Sequence, residues 1–351
     1  MPHLILPGLI DVHVHLRDLG QSHKEDFYTG TSAALAGGFI TVLDMPNNKE
    51  PITTLTKLVE KISEAKKKIV CDVGFHAGSL GIDLDELDKM EPYVLGLKLY
   101  LNKTTGNYII DKEKLIKIFD HWHSLKPIML HAESDIIGEV INNVKRTGRH
   151  VHICHVSTKY ELTTVIEAKM KKLPVTCGVT PHHLFLSYEA AKKLGPFGMM
   201  KPQIEKGFKE FLWKNLTYID VIESDHAPHT IEEKKSGTPP FGVPNLDTTL
   251  PLLLTAVSEK KLTRERLLEL CYENPYRLFR IKTDKNTYLE IDEKKEFVID
   301  NKKLKTKCGW SPYAGWKVKG KVKRVFIKGK KVFENGKILV KKGSGKVIYS
   351  N

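Results

Sequence analysis

The sequence predicts a closed (β/α)8 TIM-type barrel of the α/β class with a small β appendage, and three features predict it. Eight short apolar runs alternate with segments of helical length between residues 9 and 225. Alternating strand and helix units favour a parallel sheet, and eight of them favour a closed barrel. From about residue 286 the pattern changes to short β-type runs joined by turns such as Asn335-Gly336, which reads as a separate small sheet. The chain therefore divides into an expected barrel, 1–285, and an expected β subdomain with a basic tail, 286–351. A doubly wound open sheet is the alternative, but the glycine-rich phosphate fingerprint of its dinucleotide-binding form is missing.

The strands are expected at 9–15 (LIDVHVH), 39–45, 69–75, 94–100, 127–133, 150–156, 174–179 and 219–225. Ile5 and Leu6 before the Pro7-Gly8 turn, with Leu9, Ile10 and Val12 after it, suggest burial on both faces, as in parallel sheets. Between the strands lie 25–37, 53–68, 84–90, 112–124, 135–148, 158–172 and a less regular stretch, 187–216. Several have apolar residues at the i, i+3, i+4 spacing of a helix packed on a sheet. A polar, proline-rich loop follows the eighth strand, and then helical stretches at 246–259, 263–271 and 274–279.

With 41% hydrophobic and 28% charged residues the composition is that of a globular chain. No apolar run reaches the length of a membrane span and MPHLILPG has no secretory pattern, so a cytoplasmic protein without membrane attachment is expected. The five cysteines are odd in number and unclustered, which suits reduced thiols. The net charge of +14 is localised: residues 301–351 hold sixteen Lys/Arg against the single acid Glu334. In KVKGKVKRVFIKGKKVF the lysines alternate with apolar residues, the pattern of a half-buried strand whose charged face blunts a sheet edge. Docking onto an acidic protein is a second reading, and nucleic acid is not expected because no recognition motif accompanies the charge.

Reactive residue types gather where a barrel of this kind carries its active site, at the carboxyl ends of the strands. His13 and His15 end the first strand, Asn47 follows the second, Lys98 lies in the fourth, His131 ends the fifth and His155 the sixth. His182 and His183 follow the seventh, and Asp225 and His229 close the eighth. Alone, each histidine reads as a hydrogen-bonded core residue and Asp225 as a helix cap. Metal-ligand residue types at five separate strand ends read as a metal centre, since neutral imidazole and carboxylate are ready zinc ligands. Lys98 does not fit as an ammonium, which a metal ion repels and burial penalises. A salt bridge to Asp225 is the plain reading; a carbamate formed with carbon dioxide is the sharper one, offering two oxygens to two metals. Two-metal hydrolysis through a bridging hydroxide follows, with Asp225 placed to take and return the proton.

Taken together, HVHLR, the lysine in GLKLYLN, HAE, HICHV and SDHAPHT resemble the amidohydrolase superfamily. Across almost the whole chain, from LPGLIDVHVHLRD to KVKGKVKRV, the closer likeness is to the dihydroorotase domain of the animal multifunctional pyrimidine-synthesis polypeptide. The resemblance implies one zinc on His13, His15, carbamylated Lys98 and Asp225, and a second on Lys98, His131 and His155. It implies that Arg17, Asn47 and His229 grip a substrate carboxylate, for which an Arg sharing the face of His13 and His15 is well suited. Thr104 and Thr105 would lie in a mobile loop that closes over the substrate. The implied reaction is reversible closure of N-carbamoyl-L-aspartate to L-dihydroorotate in pyrimidine synthesis. By the same likeness a homodimer is expected, with aspartate transcarbamoylase a possible partner.

Three positions depart from the animal-type pattern. TCGVTPHH places Gly178 where a glutamate joins the HICHV cysteine at an extra zinc site, which argues against a third zinc and leaves Cys154 an inert buried thiol. Lys201 stands in place of a substrate-binding arginine, and Thr105 in place of an aromatic. The alternatives are a dihydropyrimidinase or allantoinase, whose substrates lack the ring carboxylate, and a silent homologue kept as a scaffold for aspartate transcarbamoylase.

Overall fold

A computed structural model describes residues 3–103 and 108–349. Strand β1 (Leu4–Pro7) is followed by β2 (Leu9–Val14), β3 (Phe39–Asp44), β4 (Asp72–Gly78), β5 (Gly96–Tyr100), β6 (Ile128–His131), β7 (Val151–Ile153), β8 (Val175–Val179) and β9 (Val221–Ile222). Strands β2 to β9 form one eight-stranded sheet in sequence order, every neighbouring pair parallel. The ring closes beyond β9, where the His15 N–H donates to the His226 carbonyl at 2.9 Å. All eight expected strands are present. The third begins at Asp72 rather than 69, because the Ile69 N–H still bonds back to Ala65 at the end of the preceding helix and its carbonyl accepts from Gly345 of the returning segment.

Helices follow most strands and start as their sequences dictate. Thr158 caps Lys159–Met170 with a capping box to Glu161, and Asp26 does the same for Phe27–Ala36 through Thr29. Gly148, at φ 67°, ends Ile136–Thr147 in the left-handed conformation that spares a Cβ. One buried cluster joins Ile10 of β2, Leu43 of β3 and Met129 of β6. Residues from opposite sides of the ring can meet only inside it, so the barrel is a packed core. Among the described residues no helix is long and apolar enough to cross a membrane.

The second sheet has the order β1-β10-β11-β12-β13, with β10 (Tyr288–Val298), β11 (Lys317–Ile327), β12 (Lys330–Glu334) and β13 (Lys337–Ile338). Asn335 and Gly336, both at positive φ, turn β12 into β13. Strand β1 pairs antiparallel with β10, so this sheet draws on both ends of the chain, and Ile5 is exposed on its edge rather than buried. The lysine-rich β11 lies inside the sheet between β10 and β12, so its lysines coat a face and do not blunt an edge. Its other face packs on helix Thr249–Ser258, where Gly320 at φ 90° makes room for Leu254.

Candidate active site

The residues expected at the strand ends do converge. His13, His15, Arg17, Asn47, His131, His155, Lys201 and Asp225 line one cleft. Strand β2 ends at Val14, so simple alternation does not carry Arg17 into the cleft; a left-handed backbone at Arg17 (φ 64°) accompanies the placement. His155 (φ 37°) and Asp225 (φ 44°) share that rare conformation, which for non-glycine residues concentrates at functional sites.

His15 Nε2 lies 3.1 Å from Asp225 Oδ1, and His13 Nε2 lies 3.5 Å from the same oxygen. Asn47 Oδ1 accepts from His15 Nδ1 at 2.7 Å, which leaves Nε2 free to bind. On the far wall His131 Nδ1 stands 3.1 Å from His155 Nε2, while Glu133 Oε1 holds His131 Nε2 at 2.9 Å. Burial depresses the basicity of all four rings, that of His13 to about 4 with Lys98 adding to the effect. Burial raises the Asp225 carboxyl above its usual range. Neutral imidazoles beside a carboxylate form a set of lone-pair donors aimed at one volume. The donor atoms of His13, His15 and Asp225 lie within 4.8 Å of one another, and buried His155 Nδ1 has no hydrogen-bond partner. The residues present therefore fit a metal centre.

Lys98 is buried on β5, with Nζ 3.2 Å from Cys154 Sγ and 4.9 Å from the centre of the Tyr100 ring. Among the described residues it has no carboxylate oxygen within 4.0 Å, so the salt bridge to Asp225 is not formed. His229 is buried behind Arg17, 3.4 Å from its guanidinium, and is held by Lys24 Nζ (3.2 Å) and by the Phe241 carbonyl (2.9 Å). Lys201 reaches over the Phe241 ring and donates to the Lys103 carbonyl. Thr104 and Thr105 lie outside the described residues.

The sequence reading passed over Tyr100, Glu133, Phe241 and above all Glu223. A glutamate in the apolar run IDVIESD was a signal, because a carboxylate is almost never buried unless paired. Here it is wholly buried, accepting from the His155 N–H and facing His13 Nδ1 at 3.4 Å.

The amidohydrolase family model matches residues 4–332. The chain belongs to the amidohydrolase family. Among curated relatives this amidohydrolase is 43% identical over 98% of its length to "Multifunctional protein CAD" of Squalus acanthias, of which it spans 15%. It is 36% identical over 98% of its length to a dihydroorotase of Pyrococcus abyssi, of which it spans 87%. Among solved structures, an L-hydantoinase from Arthrobacter aurescens superposes with a TM-score of 0.95 over 99% of this chain and 89% of that one, at 24% identity, a likeness of fold. The inactive dihydroorotase-like domain of a Chaetomium thermophilum CAD-like multifunctional protein superposes at 0.84, covering 99% of this chain and 100% of that one, at 25% identity.

Proposed function

We propose that this amidohydrolase is a zinc-dependent dihydroorotase that interconverts N-carbamoyl-L-aspartate and L-dihydroorotate. The observation that carries the reading is Arg17, a buried guanidinium in the same cleft as His13, His15 and Asp225. A fixed cation beside a hydrolytic centre selects a substrate bearing a carboxylate next to the scissile amide, and a guanidinium can grip it with two parallel hydrogen bonds. The curated relatives named dihydroorotase point the same way. A dihydropyrimidinase or allantoinase would have no use for that charge, and a silent scaffold would not need the whole donor set.

In this reading His13, His15 and Asp225 would hold one zinc and His131 and His155 the other, with carbamylated Lys98 as a further ligand to each. The Lys98 ammonium gives up a proton to solvent, and the neutral amine then adds to carbon dioxide and loses a second proton, which makes it an anionic two-oxygen ligand. The paired ions, when bound, supply Lewis acidity that activates water near neutral pH and polarises the amide carbonyl. Asp225 takes the proton of the attacking water and delivers it to the leaving nitrogen, and the reverse proton path serves ring closure. Arg17, with His229 packed behind it, anchors the substrate carboxylate, with Asn47 and Lys201 on the cleft wall, and Thr104, outside the described residues, completes the proposed set. A homodimer, an association with aspartate transcarbamoylase and a cytoplasmic location complete the proposal; light scattering on the purified chain tests the first.

The test is turnover of both acids by the purified protein beside dihydrouracil, allantoin and hydantoin, with metal content measured on the same sample. Turnover of the acids with at least about two zinc ions per chain is expected. Turnover confined to the uncharged cyclic amides sinks the proposal.

A further inference from the structure

Glu223 stands directly after β9, and its carboxylate is fully buried. Oε2 faces His13 Nδ1 at 3.4 Å and His152 Nε2 at 3.5 Å, and all three atoms lack a hydrogen-bond partner. Cys154 Sγ completes a group with donor atoms of His13 and Glu223, all within 4.8 Å of one another. The neighbouring strand explains how the carboxylate fits. Residue Gly178 of β8 is paired with Val221 of β9, and a Cβ built on Gly178 would lie 2.5 Å from Glu223 Oε1. The acid therefore fills the volume that a side chain at 178 would take.

We propose that Glu223, Cys154 and His13 hold a further divalent cation, zinc by the chemistry of the donors, separate from the paired site. Thiolate, imidazole and carboxylate are the usual ligands of tetrahedral zinc. Gly178 then marks a transfer of the acid from β8 to β9 and not its loss. The two nitrogens of His13 serve different positions, Nε2 facing Asp225 and Nδ1 facing Glu223. Binding displaces the Cys154 thiol proton, and a ring carrying a cation on each nitrogen releases its N–H proton as well, both to solvent. The geometry is independent of the proposed reaction. The charge argument rests on that reading, because carbamylation of Lys98 would remove the cation closest to the Cys154 thiol and leave Glu223 in need of one.

Full-length protein stripped of metal and titrated with cobalt(II) decides the matter, with bound metal counted and thiolate-to-cobalt charge transfer followed in the near ultraviolet. About three equivalents and a thiolate band are expected. Glu223→Gln should lose one equivalent and most of the band, and Cys154→Ala all of the band. The exchange variant Gly178→Glu with Glu223→Ala should regain the equivalent that Glu223→Ala alone loses. Two equivalents and no band in the parent protein, a readout that needs no variant to fold, overturn the site and make Glu223 an orienting acceptor for His13. A band unchanged in Glu223→Gln also overturns it. Three equivalents without turnover of dihydroorotate would instead count against the proposed reaction and leave this site standing.

Discussion

Replacing Gly178 with alanine adds one methyl group, and the structure says where it must go. Its Cβ would meet Glu223 Cδ and Oε1 at 2.5 Å, about 1 Å inside van der Waals contact. Glu223 cannot swing aside freely, because its carboxylate accepts from the His155 N–H and is fully enclosed. Overpacking of a tight core costs about 1–3 kcal/mol, and weakening a hydrogen bond to a buried charge about 1.5–3 kcal/mol. The variant should therefore lose about 2.5–6 kcal/mol in the metal-free protein. At about 2.1 cal/mol/K per residue, the unfolding entropy of 351 residues is about 0.7 kcal/mol/K, so the melting temperature should fall by about 3–8 °C. Scanning calorimetry on four proteins (parent, Gly178→Ala, Glu223→Ala and the double variant) isolates the cause. In the Glu223→Ala background the added methyl should be nearly free, giving a coupling of at least about 2 kcal/mol. An equal loss in both backgrounds, or none in either, refutes the argument that the carboxylate occupies the space at 178.

Asp225→Ala should lower turnover by at least about 10²-fold with an unchanged far-ultraviolet spectrum, and normal turnover would remove Asp225 from the proton path. Lys98→Ala should bind at most half the metal of the parent at the paired site by elemental analysis; full retention would exclude a lysine carbamate as the bridge. Asp11 is wholly buried, and burial raises its carboxyl from 3.8 to about 7. The folded state thus keeps a proton that the unfolded chain releases, so this group's stabilisation is complete below about pH 4 and is lost as pH rises through 7. Asp11→Asn, which cannot ionise, should gain on the parent by up to about 1.4 kcal/mol per pH unit between those limits, with a flat difference above them. Denaturant unfolding at a series of pH values checks this, and a difference independent of pH would show that Asp11 does not titrate there.

The eight strands were legible because a parallel sheet covered on both faces leaves an uninterrupted apolar run for each strand. His13, His15, His131, His155 and Asp225 were legible for a related reason: a barrel places all carboxyl ends on one rim, so order along the chain becomes proximity in space. Arg17 reached its place by another route than expected, through a left-handed turn after β2, and no periodicity encodes that. Glu223 was missed because its meaning depends on what the next strand omits. Only the register of β8 on β9 shows that Gly178 and Glu223 share one volume. The lysines of β11 were read correctly as a solvent-facing alternation, but the position of that strand inside its sheet depends on β1 and β10, nearly three hundred residues apart in sequence.

Two sets among the left-handed residues have different prospects for engineering. Lys172, Lys260, Arg280 and Lys328 hold positive φ on the exposed surface, at about 1–2 kcal/mol each. Glycine or asparagine there would relieve most of that strain without touching the cleft. Arg17, His155 and Asp225 hold the same conformation, and glycine would delete the side chains that the cleft is built from. A programme to raise the working temperature of this protein thus has a reserve it can draw on at the periphery and a fixed tension at the rim that it must leave in place.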